Sequence, residues 1–161
     1  MRIAVAADSL DGVARSIPVV LAALGHDVIA HGALADDVSE TDPAAVWSAC
    51  ARSAATDVAQ GRADQAVVAC WTGTGASIAA NKVRGVRAAL CTDAATAAGA
   101  RRWNDANVLV MSFKRVTPEA AREIVDAWLG VAEPDPEEAE NIARLAEIER
   151  DYSRENRRGE A

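Results

Sequence analysis

Short apolar runs alternate with longer segments of helical composition along this chain. The runs are rich in Val, Ile and Ala, as in buried strands, and the segments between them favour helices. Strands are predicted at residues 2–7, 27–31, 65–70, 86–90 and 107–111, and helices near 13–24, 43–60, 75–83 and 93–102. This order predicts an α/β protein with three layers, in which helices cover both faces of a doubly wound, five-stranded parallel sheet.

Two more helices are predicted after residue 116. Thr117 is a suitable N-cap and Pro118 a suitable first residue for a helix that runs to about residue 129. The sequence EPDP at 133–136 interrupts the chain before a charged helix from 137 to about 154, whose thin apolar stripe consists of Ile142, Leu145 and Ile148. Such a stripe needs a partner surface. We therefore expect one domain, with a core at 1–130 and a C-terminal helix and tail at 131–161 that pack on a partner subunit.

Composition and charge narrow the function classes. A chain of 161 residues that is 50% hydrophobic and 25% charged suits one soluble domain. A net charge of -7 argues against nucleic-acid binding, and no apolar run approaches membrane-spanning length. Met1 leads directly into a strand rather than a signal peptide, so a cytoplasmic location is expected. The three cysteines lack metal-ligand spacing and fit a reducing compartment.

The strongest candidate chemistry lies between residues 67 and 89. An apolar run ends at Cys70, Gly73 and Gly75 allow a tight turn, and a helix follows. Amides of residues 74–77 would then point from a helix N-terminus towards the Cys70 thiol, whose thiolate the helix dipole would favour. This turn lacks the third glycine of a dinucleotide fingerprint and is not a P-loop. No cofactor and no metal are expected.

The sequence CWTGTGASIAANK at 70–82 resembles a signature of the ribose-5-phosphate isomerase B and galactose-6-phosphate isomerase family, Cys-Gly-Thr-Gly-x-Gly-x-Ser-Ile-Ala-Ala-Asn-Lys. The likeness continues through VRAALCTD at 86–93, NDANVL at 104–109 and IVDAWL at 124–129. It implies a Rossmann-like fold and an aldose–ketose isomerase, an intramolecular oxidoreductase of carbohydrate metabolism. It also implies a small-molecule sugar or sugar phosphate as substrate, and a homodimer or dimer of dimers.

The resemblance also implies roles for individual residues. Cys70 would transfer the proton through an enediolate, while Thr72, Asp8 and Asn104 would contact substrate hydroxyls. Cys70 and Thr72 are thus the catalytic candidates. The substrate-binding candidates are Asp8, Ser9, Trp71, Gly73, Thr74, Gly75, Ser77, Trp103, Asn104, Lys114, Glu137 and Asn141.

Departures from the family pattern bear on the substrate. Trp103 stands where the family has a histidine that assists ring opening, and an indole cannot transfer a proton at neutral pH. Ser9 replaces a histidine of the phosphate region. Glu137, Glu138 and Asn141 align with phosphate-binding positions that are usually basic. Only Lys114, or its neighbour Arg115, retains a cation there. The expected substrate is therefore a small sugar or sugar derivative other than ribose 5-phosphate.

Plainer interpretations stay open beside these. Cys70 could be a small core residue, Asp8 could cap the following helix, and the acidic tail could be a solvated helix face. Cys50 and Cys91 are expected in the core, and the only histidines, His26 and His31, are expected to be surface or structural groups. The alternative function is a non-catalytic family member that binds a polyol or a partner protein. Cys70 with its glycine turn favours the enzyme.

Overall fold

Five parallel strands form the centre of the molecule. The computed structural model describes the backbone of residues 1–158 and the side chains of residues 1–151. The strands are β1 (Arg2–Ala7), β2 (Asp27–Gly32), β3 (Gln65–Cys70), β4 (Ala88–Leu90) and β5 (Val108–Ser112). They pair in the order β2-β1-β3-β5-β4, all parallel. The predicted five-stranded parallel sheet is confirmed.

Helices cover both faces of this sheet. They are α1 (Ser16–Ala23), α2 (Trp47–Ala59), α3 (Thr74–Ala80), α4 (Ala94–Asn104), α5 (Pro118–Leu129) and α6 (Ala139–Arg158). Alternate residues of each strand point to opposite faces. Ile3 and Val5 therefore join the core under α1, α4 and α5, whereas Ala4, Ala6 and Cys70 join the core under α2 and α3. The predicted three-layer, Rossmann-like architecture is confirmed.

Several element bounds differ from the prediction for local reasons. The helix predicted at 43–60 is split, because Val46 is extended (φ -55°, ψ 133°) between a 3₁₀ turn at Pro43–Ala45 and α2. The first helix begins at Ser16 rather than residue 13. β4 begins at Ala88 rather than 86, since the Arg87 amide donates to the Asn107 side chain at 2.8 Å instead of joining the strand ladder.

The final helix α6 lies against its own chain. The Gly85 amide donates to the Glu149 carboxylate at 2.8 Å, and Arg84 lies 3.8 Å from the same group. Leu145 and Ile148 nevertheless stay 44% and 49% exposed. The apolar stripe is thus only partly covered within one chain, and the last three residues of the predicted tail lie outside the described ones. Within residues 1–158, no helix is both long and apolar enough to cross a bilayer.

Candidate active site

Cys70 and Asp8 come together at the carboxyl edge of the sheet. β1 lies between β2 and β3, so successive connections leave it in opposite directions and open a crevice there. Ala7 pairs with Ala69 in the β1–β3 register, and Asp8 and Cys70 are the residues that follow on the two strands. The Cys70 side chain faces α2 and α3 and is 5% exposed. A thiol and a carboxyl therefore meet where ligands bind in folds of this kind.

The turn after Cys70 depends on two glycines for different reasons. Gly73 has φ +78°, and a Cβ there would lie 2.3 Å from Cδ1 of Leu90 and 3.1 Å from the carbonyl oxygen of Met111. Gly75 instead faces the ring of Trp47, where a Cβ would lie 2.9 Å from Cε3. The first glycine permits the turn, and the second permits close packing of α2 on α3.

The hydroxyl groups of this turn are exposed at the crevice. Oγ1 of Thr72 and Oγ1 of Thr74 lie 2.7 Å apart and share a hydrogen bond. Trp71, between Cys70 and Thr72, is 60% exposed. The sequence-predicted residues from Cys70 to Gly75 therefore lie together beside Asp8 and Ser9.

The backbone of Cys70 and Trp71 is fixed by the segment that follows β5. The Phe113 amide donates to the Cys70 carbonyl at 3.0 Å, and the Lys114 amide donates to the Trp71 carbonyl at 3.1 Å. The buried Ser112 hydroxyl donates to the same Trp71 carbonyl at 2.9 Å. Lys114 is thus at the predicted place, beside the turn. Ser112 was not anticipated, because only the pairing of β3 with β5 reveals its role.

The Ser77 amide does not point freely from the N-terminus of α3 towards Cys70, so this part of the prediction is wrong. That amide donates to the Gly73 carbonyl at 3.0 Å and so makes the first hydrogen bond within α3. The Ser77 hydroxyl lies 3.5 Å from the Ala88 carbonyl, to which it donates. The amides that precede the first helical hydrogen bond are those of Thr74, Gly75 and Ala76.

Asp8 has an oxygen available to a ligand. It does not cap α1, which begins eight residues later, so the capping interpretation is wrong. Its Oδ1 is buried and has no hydrogen-bond partner among the described residues. Burial raises the pKa of Asp8, and the nearby charge of Asp11, which accepts a hydrogen bond from the Ser9 hydroxyl at 3.2 Å, adds to this. A buried acceptor without a partner is costly, and a substrate hydroxyl would satisfy it.

The other two thiols belong to the core, as predicted. Cys50 and Cys91 are buried, and burial raises the pKa of each to about 12. The Asp8 charge adds to this effect at Cys50, as the Asp93 charge does at Cys91. Both groups stay protonated at neutral pH, which leaves neither as a base. Among the residues whose side chains are described, no group of three or more His, Cys, Asp or Glu could hold a metal ion.

His31 is structural, as predicted. Its Nε2 lies 2.7 Å from Oδ2 of Asp57, and the Arg62 guanidinium lies 2.6 Å from Oδ1 of the same carboxyl group. Burial alone raises the pKa of Asp57, but the hydrogen bonds from His31 and Arg62 outweigh it and hold that pKa below its usual value. This cluster joins β2 to α2.

Four predicted site residues lie at the opposite edge of the sheet. α4 begins after β4 and runs back along the sheet, so Trp103 and Asn104 at its end lie near the starts of the strands. Asn104 lines a cavity with Ala88 and Ala106, which lie at or beside the starts of β4 and β5. One chain therefore does not bring Trp103, Asn104, Glu137 or Asn141 to Cys70.

A second cavity, of about 260 Å³, opens between the end of α4 and the start of α6. Its lining residues are Trp103, Asn104, Glu138, Asn141, Ile142 and Leu145. The half-buried Glu138 lines it, whereas the predicted Glu137 is exposed and is not among the lining residues. The Asn141 amide donates to Oε2 of Glu138 at 2.8 Å. The ungapped alignment with the family offers both Glu137 and Glu138, and the 3₁₀ turn at Pro136–Glu138 brings only Glu138 into the cavity lining.

Known proteins resemble this chain over nearly all of its length. The family model for ribose/galactose isomerases matches residues 3–148. Ribose-5-phosphate isomerase B of Escherichia coli is 35% identical over 133 residues, which cover 78% of this chain and 88% of that protein. D-erythrulose-4-phosphate isomerase 2 of Mycolicibacterium smegmatis is 43% identical over 96 residues, covering 60% of this chain and 62% of that one.

Solved structures agree with the sequence relatives. Ribose-5-phosphate isomerase B of Clostridium thermocellum superposes with a TM-score of 0.82 and 34% identity, covering 94% of this chain and 99% of that one. The residues that the family model matches include the strands and the turn that carry Cys70. The chain therefore belongs to the ribose/galactose isomerase family of aldose–ketose isomerases.

Proposed function

We propose that this isomerase uses Cys70 as its base and acts on a small sugar or sugar derivative other than ribose 5-phosphate. The observation that carries the proposal is the position of Cys70 beside Asp8 in the crevice at the carboxyl edge of β1 and β3. The Cys70 thiolate removes the proton from the carbon next to the substrate carbonyl, which gives an enediolate. The resulting thiol then returns the proton to the former carbonyl carbon. A proton also passes from the hydroxyl oxygen of the neighbouring carbon to the former carbonyl oxygen, so that the carbonyl group moves to the neighbouring carbon.

Groups around Cys70 support this chemistry. The unpartnered Oδ1 of Asp8 accepts a substrate hydroxyl and fixes the sugar. The paired hydroxyls of Thr72 and Thr74 lie on the same turn, where a donor stabilises the oxygen that gains charge. The bonds from Ser112, Phe113 and Lys114 to the main chain hold this turn in place before substrate arrives. The free thiols fit a cytoplasmic enzyme.

The Cys70 assignment is tested by solvent exchange. Cys70→Ala should abolish exchange of the substrate α-proton with deuterated solvent while leaving circular dichroism unchanged. Cys91→Ala is the matched control, because it removes a buried thiol from the other core and should retain exchange. Full exchange by Cys70→Ala would rule out this thiol as the base.

We further propose a homodimer or dimer of dimers in which two chains build one site. Asn104 and Trp103 act on the substrate only if they come from a second copy, because they lie at the far edge of their own sheet. Exposed apolar side chains occur at both edges: Trp71 and Ile78 at 60% and 61% exposure, and Trp103 at 52%. Burial of these side chains in an interface would favour association of two chains.

Subunit complementation tests the shared site. Cys70→Ala and Asn104→Ala chains, each inactive, are denatured, mixed in equal amounts and refolded. In a two-fold dimer half of the assemblies are mixed, and each carries one intact site, so about a quarter of wild-type activity should return. No recovery from chains that do associate would show that each site lies within one chain. Sedimentation of the wild-type protein as a monomer at micromolar concentration would contradict the dimer itself.

The proposed substrate is inferred from side chains that the family usually has and this chain lacks. Ring opening of ribose 5-phosphate lacks an acid–base group at Trp103, and phosphate binding lacks cations at Glu138 and Asn141. Each lost charge-assisted contact costs about 2–3 kcal/mol, and about 1.4 kcal/mol is already tenfold. Lys114 alone does not replace two such contacts. Steady-state assays decide the point: a specificity constant for ribose 5-phosphate of about 10⁴ M⁻¹s⁻¹ or more would contradict the proposal.

A further inference from the structure

Asp105, the residue after Asn104, is held in an unusual backbone conformation at the end of α4. Its φ and ψ are 46° and 41°, and among the described residues it is the one non-glycine residue with a positive φ. We infer that Asp105 is a positioning residue, whose strained backbone and paired carboxylate hold the Asn104 side chain in the orientation that the substrate requires. The inference rests on the proposed function, in which Asn104 of one chain contacts the substrate at Cys70 of a second copy.

The left-handed position at Asp105 does not by itself require a carboxylate. Glycine adopts this conformation without strain and is the usual residue at the left-handed end of a helix. The Asp105 amide donates to the Arg101 carbonyl at 3.2 Å, and the Ala106 amide donates to the Ala100 carbonyl at 3.0 Å, bonds that glycine would also allow. Strained residues concentrate at functional sites. The Asp105 side chain therefore contributes something that glycine cannot.

Two arginines from different elements bind the Asp105 carboxylate. Nη2 of Arg87, the residue before β4, lies 2.6 Å from Oδ2, and its Nε donates to the Asp105 carbonyl at 2.7 Å. Nη1 of Arg101, on α4, lies 3.3 Å from Oδ1 and donates to the Ala106 carbonyl at 2.7 Å. Charge-assisted bonds of this kind are strong and directional. The residue that follows Asn104 is thus fixed through both its side chain and its carbonyl.

Arg101 connects this carboxylate to the core. Only 7% of Arg101 is exposed, and its guanidinium lies 5.7 Å from the ring centre of Trp128, which is fully buried on α5. A guanidinium against an aromatic face is held by the ring as well as by its hydrogen bonds. The Asn104 side chain, by contrast, is exposed and has no hydrogen-bond partner among the described side chains. The network therefore fixes the backbone that carries Asn104 and leaves its amide free for a ligand.

Enzyme kinetics of Asp105 variants give the first test. Ribose 5-phosphate and erythrose 4-phosphate are the probes, and the one that the wild-type protein converts faster is used throughout. Asp105→Gly keeps the torsion and removes the carboxylate, so it should fold, as judged by circular dichroism, and lose about tenfold in kcat/KM through a misplaced Asn104. Asp105→Asn tolerates the torsion and keeps one acceptor oxygen, so it should lose less. Asp126→Asn is the matched control, because it removes an exposed pair with Arg122 on α5 and should keep full activity.

Subunit complementation separates positioning of Asn104 from a purely structural role. If Asp105 acts through Asn104, its defect belongs to the same side of the shared site. Asp105→Gly refolded with Cys70→Ala should then recover about a quarter of wild-type activity, as Asn104→Ala does. Asp105→Gly refolded with Asn104→Ala should not recover, because every mixed site lacks a correctly placed Asn104. Damage within the chain that carries Cys70 would give the opposite pattern.

A spectroscopic measurement needs no substrate. The Asn104 side-chain amide, identified in a ¹H–¹⁵N spectrum by its absence from Asn104→Ala, should give one sharp signal in wild type and in Asp126→Asn, and a broadened or split signal in Asp105→Gly. An unchanged signal, wild-type kcat/KM in Asp105→Gly, or the opposite complementation pattern would overturn the inference alone. Failure of the Cys70→Ala and Asn104→Ala pair to recover would contradict the shared site, and the inference with it.

Discussion

Gly73→Ala should lower the free energy of unfolding through two separable contributions, an unfavourable backbone torsion and crowding of the added Cβ. The backbone torsion φ +78° is unfavourable for alanine by about 1–2 kcal/mol. The added Cβ also meets Leu90 at 2.3 Å and the Met111 carbonyl at 3.1 Å. The Leu90 side chain can rotate away, but the Met111 carbonyl belongs to β5 and moves only with the strand. Because Leu90 can rotate away, the crowding should cost about 1–2 kcal/mol.

Gly25→Ala isolates the torsional cause. Gly25 has nearly the same torsion, φ +81°, but a Cβ there meets nothing within 4 Å. Both variants lose similar freedom in the unfolded chain. The difference between their free energies of unfolding, about 1–2 kcal/mol, therefore measures crowding at the turn.

Urea unfolding followed by circular dichroism, at one protein concentration for all variants, provides the measurement. With a slope of about 2 kcal/mol/M, the midpoint of Gly73→Ala should lie about 0.5–1 M below that of Gly25→Ala. Folded Gly73→Ala should also lose at least tenfold in kcat/KM, because the turn positions Thr72 and Thr74, whereas Gly25→Ala keeps its activity. Equal midpoints for the two variants would refute the reasoning.

Asp57, the two core thiols and the final helix each give a further expectation. Asp57→Asn should lower the free energy of unfolding by about 1–3 kcal/mol at pH 7. Because the folded-state pKa of Asp57 is lowered, this difference should be complete above the unfolded pKa of about 4 and vanish as pH falls through the folded value. Cys50 and Cys91, with pKa values near 12, should resist iodoacetamide at pH 8 in the native protein and react only in urea; modification without denaturant would contradict their burial. A chain truncated after Gly130 should lose association in sedimentation and show a lower urea midpoint, since α6 contacts residues 84–87.

The local parts of this fold could be predicted from sequence because their causes are local. Short continuous apolar runs mark the buried strands β1 and β3. Thr117 with Pro118 marks the start of α5, where the Thr117 hydroxyl accepts from the Ala120 amide at 3.2 Å. The order β3-β5-β4 could not be predicted in this way. It depends on which strands pair after chain collapse, and no residue of β4 specifies its neighbour.

The candidate site also contains some residues whose proximity the sequence predicts and others whose positions depend on the tertiary fold. Cys70, Thr72 and Gly73 share one short segment, so their proximity follows from sequence. Asn104 is different: a helix that begins after one parallel strand must end near the start of the next, which places its last residue at the edge away from Cys70. That geometric signal was available in the predicted order of strands and helices. The contact of Trp47 with Gly75, by contrast, required the packing of α2 on α3.

The insertion of β5 between β3 and β4 has a consequence for synthesis of the chain. When residue 106 has just emerged from the ribosome, β3 has one unpaired edge, and β4 has no neighbour at all, since it pairs only with β5. Unpaired edges are aggregation sites in nascent chains. The arrival of residues 108–112 fills both edges at once and brings Ser112 under the Trp71 carbonyl. A pause in translation before this strand would therefore leave Cys70 on an open sheet edge, and rapid synthesis of residues 108–112 would protect the chain.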